Sequence, residues 1–126
     1  PFVQLTGDVS VLDGSFDDLP EGSTVYVAAL KYRPNFDTSV ASLQADAYDS
    51  ESWDWPDLTG ETLKDWRMGV PANTTVYLWA YADIDADEVV NESGEPVASG
   101  GIDNKGTLQT GSVTSAHSLD LDTAEH

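Results

Sequence analysis

Apolar and polar residues alternate along most of this chain, and the alternation divides it into strands. Val3, Leu5, Gly7, Val9 and Val11 share one face, opposite Gln4, Thr6, Asp8 and Ser10. That period of two predicts a half-buried strand, and Gly7 in its middle marks a bulge or a close backbone approach. Asp13-Gly14 is turn chemistry, after which Phe16 and Leu19 read as anchors in a connection ending at Pro20-Glu21-Gly22. Residues 24–32, TVYVAALKY, are apolar on both faces, as a central strand requires. Residues 62–70 place Trp66, Met68 and Val70 on one face. Residues 75–82 place Val76, Leu78, Ala80 and Ala82 on one face and Tyr77, Trp79 and Tyr81 on the other. A last run gathers Val113, Ser115, His117, Leu119 and Leu121, before a tail, DTAEH, expected to fray.

Residues 36–60 carry a weaker pattern. Ala41, Leu43, Ala45 and Ala47 alternate with polar residues, which favours a strand; Val40, Leu43 and Ala47 also form a helical stripe. The strand is preferred because its neighbours are strands. SESWDWPDLTGE then reads as a long acidic loop carrying Trp53 and Trp55. Gly- and Asn-rich turns are expected at 99–101 and 103–106.

Short strands separated by Gly, Pro, Asn and Asp turns predict a single all-β domain over 1–126, a two-sheet antiparallel β-sandwich of six to eight strands. LPEGSTVYVAAL (19–30) and VPANTTVYLWAY (70–81) echo one another, each a turn followed by Thr-Val-Tyr. The two central strands are expected to lie in two sheets sharing one core.

Charge narrows the partners. A net charge of −18 from 23 acids and five bases leaves no clustered cations to neutralise phosphates, which argues against nucleic acid and anionic membrane. A divalent cation or a basic protein fits better, and so does plain solvation of a surface in a salt-rich medium. Absence of Cys excludes disulfides and thiolate sites within the chain. No apolar run approaches the roughly eighteen residues of a membrane helix, so no insertion is expected. The chain opens on strand-like sequence at Pro1, as a mature or trimmed form would, any signal or anchor segment lying upstream.

The acids concentrate after the strand at 75–82. Asp83, Asp85, Asp87, Glu92 and Glu95 fall within thirteen residues that contain no Lys or Arg. Asp83, Asp85, Asp87, the Val89 carbonyl and Asn91 follow the ligand order of a calcium loop. The twelfth place is Gly94, with Glu95 one residue late and Glu92 two early. The expected ligand set for Ca²⁺ is therefore Asp83, Asp85, Asp87, Val89, Asn91 and Glu95. Three acids at strict alternation repel one another unless a counter-ion sits among them.

TVYVAAL at 24–30, Val70-Pro71, the run from Val76 to Asp83, Asp85, Asp87 and Gly94-Glu95-Pro96 together resemble transthyretin-like (carboxypeptidase-regulatory-like) sandwich domains. The resemblance is dense in the second half of the chain. It implies a non-catalytic accessory or surface module of an extracellular, periplasmic or cell-surface-anchored protein, including lipoproteins, with an acidic loop resembling a calcium loop. Glu88 stands where such a loop commonly has Gly, which implies a looser turn and a weak site.

Two other readings compete. Trp53 and Trp55, if solvent-facing and coplanar, would form a carbohydrate-binding platform; the simpler expectation is that they pack against the sheets. A Ser–His–Asp triad would have to use His117, which falls on an apolar face, and no nucleophile-elbow motif, phosphate loop or zinc-type His cluster is present. The expectation is a non-enzyme.

The charge itself generates a test. Self-repulsion at −18 destabilises the folded state and salt screens it. The melting temperature should rise between low and molar NaCl; a flat curve in a thermal-melt series would show the charges to be neutralised locally.

Overall fold

The alternating runs fold as two sheets packed face to face. The computed structural model describes residues 2–100, 106–111 and 115–122. One sheet has the strand order β10 (Ser115–Leu121), β1 (Phe2–Val11), β5 (Leu63–Pro71). The other runs β4 (Ala47–Asp54), β2 (Thr24–Leu30), β6 (Thr75–Asp83), β8 (Val97–Ser99), with β9 (Thr107–Gln109) paired to the first part of β6. A two-residue ribbon, β3 (Thr38–Ser39) with β7 (Val89–Val90), is hydrogen-bonded to neither sheet. The all-β sandwich is as expected. Ten strand segments are assigned among the described residues, more than the six to eight foreseen, because β3 and β7 are only two residues long and β8 and β9 three. The fold is not wholly antiparallel either: β1 and β10 pair in parallel, from Leu5 with Ser115 to Val11 with Leu121.

The faces follow the alternation. Val3, Leu5 and Val9 of β1, Trp66, Met68 and Val70 of β5, and Leu119 and Leu121 of β10 meet Val25, Val27 and Ala29 of β2 and Val76, Leu78, Ala80 and Ala82 of β6 in the main core. Phe16, Leu19 and Leu58 plug it from the connections. Gly7 is the close approach foreseen: a Cβ there would collide with the His117 carbonyl of the parallel neighbour.

The echoed strands do not sit in separate sheets. β2 and β6 are antiparallel neighbours, with Ala29 opposite Leu78 and Val27 opposite Ala80. Both are apolar on both faces because the outer face of their sheet is covered too. Ala28, Leu30, Trp79, Tyr81 and Val97 form a second cluster there, with Leu43 and Val90 laid over them. The Trp79 and Tyr81 rings stack, with centroids 5.7 Å apart and planes 2° from parallel.

Leu43 belongs to α1 (Val40–Ala45), where a strand was expected. Alanine alternation has little hydrophobic contrast, so it does not enforce a strand register. Leu43 is the one large apolar residue of the segment, and Ser39 caps the helix by accepting from the Ser42 N–H at 3.1 Å. The acidic stretch expected to be a loop is instead β4, followed by a single helical turn, α2 (Trp55–Leu58), with Pro56 in its first turn. β4 tolerates its acids because it is an edge strand. Two of them reach across to the edge of the opposite sheet: Glu51 accepts from the Arg67 N–H at 2.8 Å and Asp49 from the Gly69 N–H at 2.9 Å. The opposite seam is closed by backbone bonds between Val97 and Asp122. Turn residues 101–105, Val113 and the tail from 123 lie outside the described residues.

Leu78 is wholly buried in the main core, whereas Gln44 is exposed on α1. Leu78→Ala should therefore lower stability by about 2–5 kcal/mol through lost transfer energy and a residual cavity. Gln44→Ala should change urea-unfolding stability little.

Candidate functional site

β6 carries its alternation one residue past the apolar run, so its last residue, Asp83, is buried at 2% exposure. The loop that follows folds back on itself through three non-glycine residues with left-handed φ: Ala86 (56°), Glu88 (59°) and Asn91 (60°). Glu88 thus occupies the conformation that a Gly would adopt without steric cost. Side chains then fix the loop. Asp83 accepts from the Glu88 N–H at 2.9 Å, Asp87 from the Val89 N–H at 3.0 Å, and Glu95 from the Ile84 N–H at 2.9 Å. The Ala82 N–H donates to the Pro96 carbonyl and returns the chain to β6 before β8 begins.

The result is a group of five carboxylates. One oxygen from each of Asp83, Asp85, Asp87, Glu92 and Glu95 lies within 4.8 Å of the others. Asp83 and Glu95 are buried, Glu92 is half-buried, and Asp85 and Asp87 are exposed at the mouth. Asp83 Oδ1, Glu92 Oε1 and Glu95 Oε1 are inaccessible to solvent and have no hydrogen-bond partner. Such oxygens carry the full cost of desolvation.

Four of the expected ligands therefore come together: Asp83, Asp85, Asp87 and Glu95. Glu92 joins them, although register counting placed it two residues early. Its signal was available in composition, as the only other carboxylate close to Glu95 on the returning limb. The remaining two expected residues also serve the fold. Val89 lies in β7, opposite Ser39. Asn91 directs its Nδ2 to the Asn35 carbonyl at 2.9 Å.

Electrostatics follow the packing. Burial pushes the Glu95 carboxyl up to about 8, and the negative charges of Glu92, Asp85 and Asp83 add to this against the Ile84 N–H. Burial raises Asp83 as well, and the negative charges of Asp87 and Asp85 add to this, despite the Glu88 N–H. Glu92 is raised by burial and by Asp85 and Asp87. Asp87 moves the other way: against a burial contribution, the Val89 N–H lowers it. Without a cation, then, the cluster holds protons that an exposed set of acids would have released.

The other candidates take different places. Trp53 and Trp55 are half-buried and pack against the main core. His117 has its Nε2 3.0 Å from Ser115 Oγ on the same strand, and partial burial lowers its pKa. No carboxylate among the described residues hydrogen-bonds its ring. No helix among the described residues is long and apolar enough to cross a membrane. Compared with known proteins, the chain matches no family model, no curated protein and no solved structure.

The raised carboxyls set a pH dependence. Below the unfolded values of about 4 both states are protonated and the shifts have no effect. Above them the unfolded chain releases protons that the folded cluster keeps, so stability falls as pH rises toward the folded value of about 8 for Glu95. In chelator, urea melts should therefore show stability declining between about pH 5 and about pH 8. Glu95→Gln, which keeps an acceptor for the Ile84 N–H, should flatten that decline; an unchanged slope would assign it elsewhere.

Proposed function

We propose that this chain is a non-catalytic binding module of a secreted or cell-surface protein, related to the transthyretin-like sandwiches, whose acidic loop binds Ca²⁺. The observation that carries the cation reading is the pair of buried, unpartnered oxygens, Asp83 Oδ1 and Glu95 Oε1, within a cluster that contains no basic residue. A hard divalent cation satisfies both and removes the repulsion that keeps the cluster protonated. Asp83, Asp85, Asp87, Glu92 and Glu95 supply side-chain oxygens, with the Val89 carbonyl or water completing the six to eight that calcium takes. Mg²⁺ demands a smaller octahedral shell and retains its waters, so a crowded carboxylate site disfavours it. The exposed mouth and the left-handed Glu88 support weak binding, with a Kd of about 10⁻⁴–10⁻³ M as in extracellular modules. The module reading is supported by the sandwich itself and by the seating of the acids on a rigid strand end. The contact of His117 with Ser115 of its own strand, its one side-chain hydrogen bond among the described residues, fits a structural role.

Binding to the folded state alone raises the melting temperature. In about 1 M NaCl, where the screening length is only about 3 Å, millimolar CaCl₂ should still raise it and MgCl₂ should raise it less. The shift should grow with pH, because the ion displaces protons from the cluster. Asp85→Ala, at the exposed mouth, should abolish the shift and leave the fold intact. Equal responses to the two cations, retained in Asp85→Ala, would sink the site.

A further inference from the structure

A concavity lies between the end of β2, segment 32–39 and α1. It has a volume of about 480 Å³, within the range of about 300–1,000 Å³ typical of small-molecule sites. Its floor is apolar and buried, made by Leu30 and Leu43. Two aromatic residues of its wall, Tyr32 and Phe36, are 65% and 67% exposed, unlike the buried or half-buried tryptophans. Between them stands Arg33, one of five basic residues in the chain. Asp37 and Asp46 line it too, beside the neutral Asn35, Thr38, Ser39 and Ser42, and neither aspartate forms an ion pair with Arg33 among the described residues. The pocket thus combines aromatic side chains with a planar donor and acceptors that form no ion pair among the described residues. An anion would meet the two aspartates and a cation would meet Arg33. A neutral molecule with vicinal hydroxyls and apolar C–H faces satisfies all three kinds of group, and that is the chemistry of a sugar ring.

The lip of this pocket is held by the acidic loop. Segment 35–40 pairs with β7, Thr38 opposite Val90 and Ser39 opposite Val89. The Asn91 side chain donates to the Asn35 carbonyl, the Asp37 N–H donates to the Asn91 carbonyl at 3.3 Å, and the Val40 N–H donates to the Glu88 carbonyl at 2.9 Å. Glu88 and Val89 are the same residues whose N–H groups Asp83 and Asp87 hold. Ordering the carboxylates therefore orders the residues that position Phe36 and Asp37.

We propose that the pocket walled by Tyr32, Arg33, Phe36, Asp37 and Asp46 binds a neutral saccharide, and that cation binding in the acidic loop tightens it. The second half rests on the cation reading above; the first does not.

The test uses neutral hexaoses of glucose, xylose and N-acetylglucosamine as probes, with binding read by saturation-transfer NMR and titration calorimetry. At least one should bind the wild-type chain in calcium. The double variant Tyr32→Ala/Phe36→Ala, at exposed positions, should weaken it about tenfold or more with an unchanged melting temperature. Chelator should weaken wild-type binding, and in Asp85→Ala calcium should no longer matter. The calcium-induced melting shift, measured alongside, separates failure of the cation site from failure of the pocket. No hexaose bound, or binding unaffected by the double variant, would overturn the saccharide site. Binding of a lysine-rich peptide in its place, lost in the double variant, would overturn it in favour of a cationic partner. Saccharide affinity equal in calcium and chelator would overturn the coupling.

Discussion

The constraint on which this structure depends is that β6 is apolar on both faces. A sandwich strand ordinarily needs only its inner face covered. Here Tyr77, Trp79 and Tyr81 point outward, and the stacked Trp79 and Tyr81 rings are too large a hydrophobic surface to leave in water. The segment between β2 and β4 therefore folds over them as a short helix, Leu43 inward, and Val90 comes down from the other side. Covering that face brings segment 35–40 against residues 88–91. The acidic loop is thus folded back tightly rather than left as a solvated excursion. Burial of Asp83 and Glu95 is a consequence of covering aromatic surface, and the proton-holding cluster is a consequence of that burial.

The acids, so numerous that they suggest only a solvated surface, have distinct local roles. Asp49 and Glu51 satisfy two N–H groups on the free edge of the opposite sheet, where another strand would otherwise pair. Asp83, Asp87 and Glu95 each accept a backbone N–H within one loop. At the sheet edge the ionised carboxylates accept only and carry a charge that repels a second chain, while in the loop the acceptor oxygens hold the backbone whether or not the group keeps its proton.

Legibility in the sequence tracked hydrophobic contrast. β1, β5 and β10 alternate apolar residues with polar ones, and their buried faces follow that pattern in the structure; β6 was legible as a central strand because both of its faces are apolar. At 40–45 the alternation was carried by alanine, which is nearly as small on one face as on the other, and a serine cap plus one leucine decided for helix. β4 was hidden because acids on an edge strand face water and resemble loop chemistry. The placing of β2 and β6 as neighbours, and the parallel pairing of β1 with β10, are long-range facts with no local signature. At the site, the carboxylates were legible as a cluster. Glu92 was legible as a member of the acidic group but not as a ligand, because counting along a calcium loop presumes a backbone path, and here the path turns at Ala86, Glu88 and Asn91.

The parallel pairing of β1 with β10 also determines how the molecule meets a pull. The bond from Ser10 to Asp120 spans 110 residues, so the two strands come from opposite ends of the described chain. Because they run the same way, Phe2 lies toward one end of the ladder and Leu121 toward the other. Tension between those ends slides the strands along each other and loads the whole ladder at once, whereas an antiparallel pair with both ends on one side would open a bond at a time. The same arrangement that seats β1 between two partners therefore gives this sheet a shear geometry, in which the bonds of the β1–β10 ladder share a load.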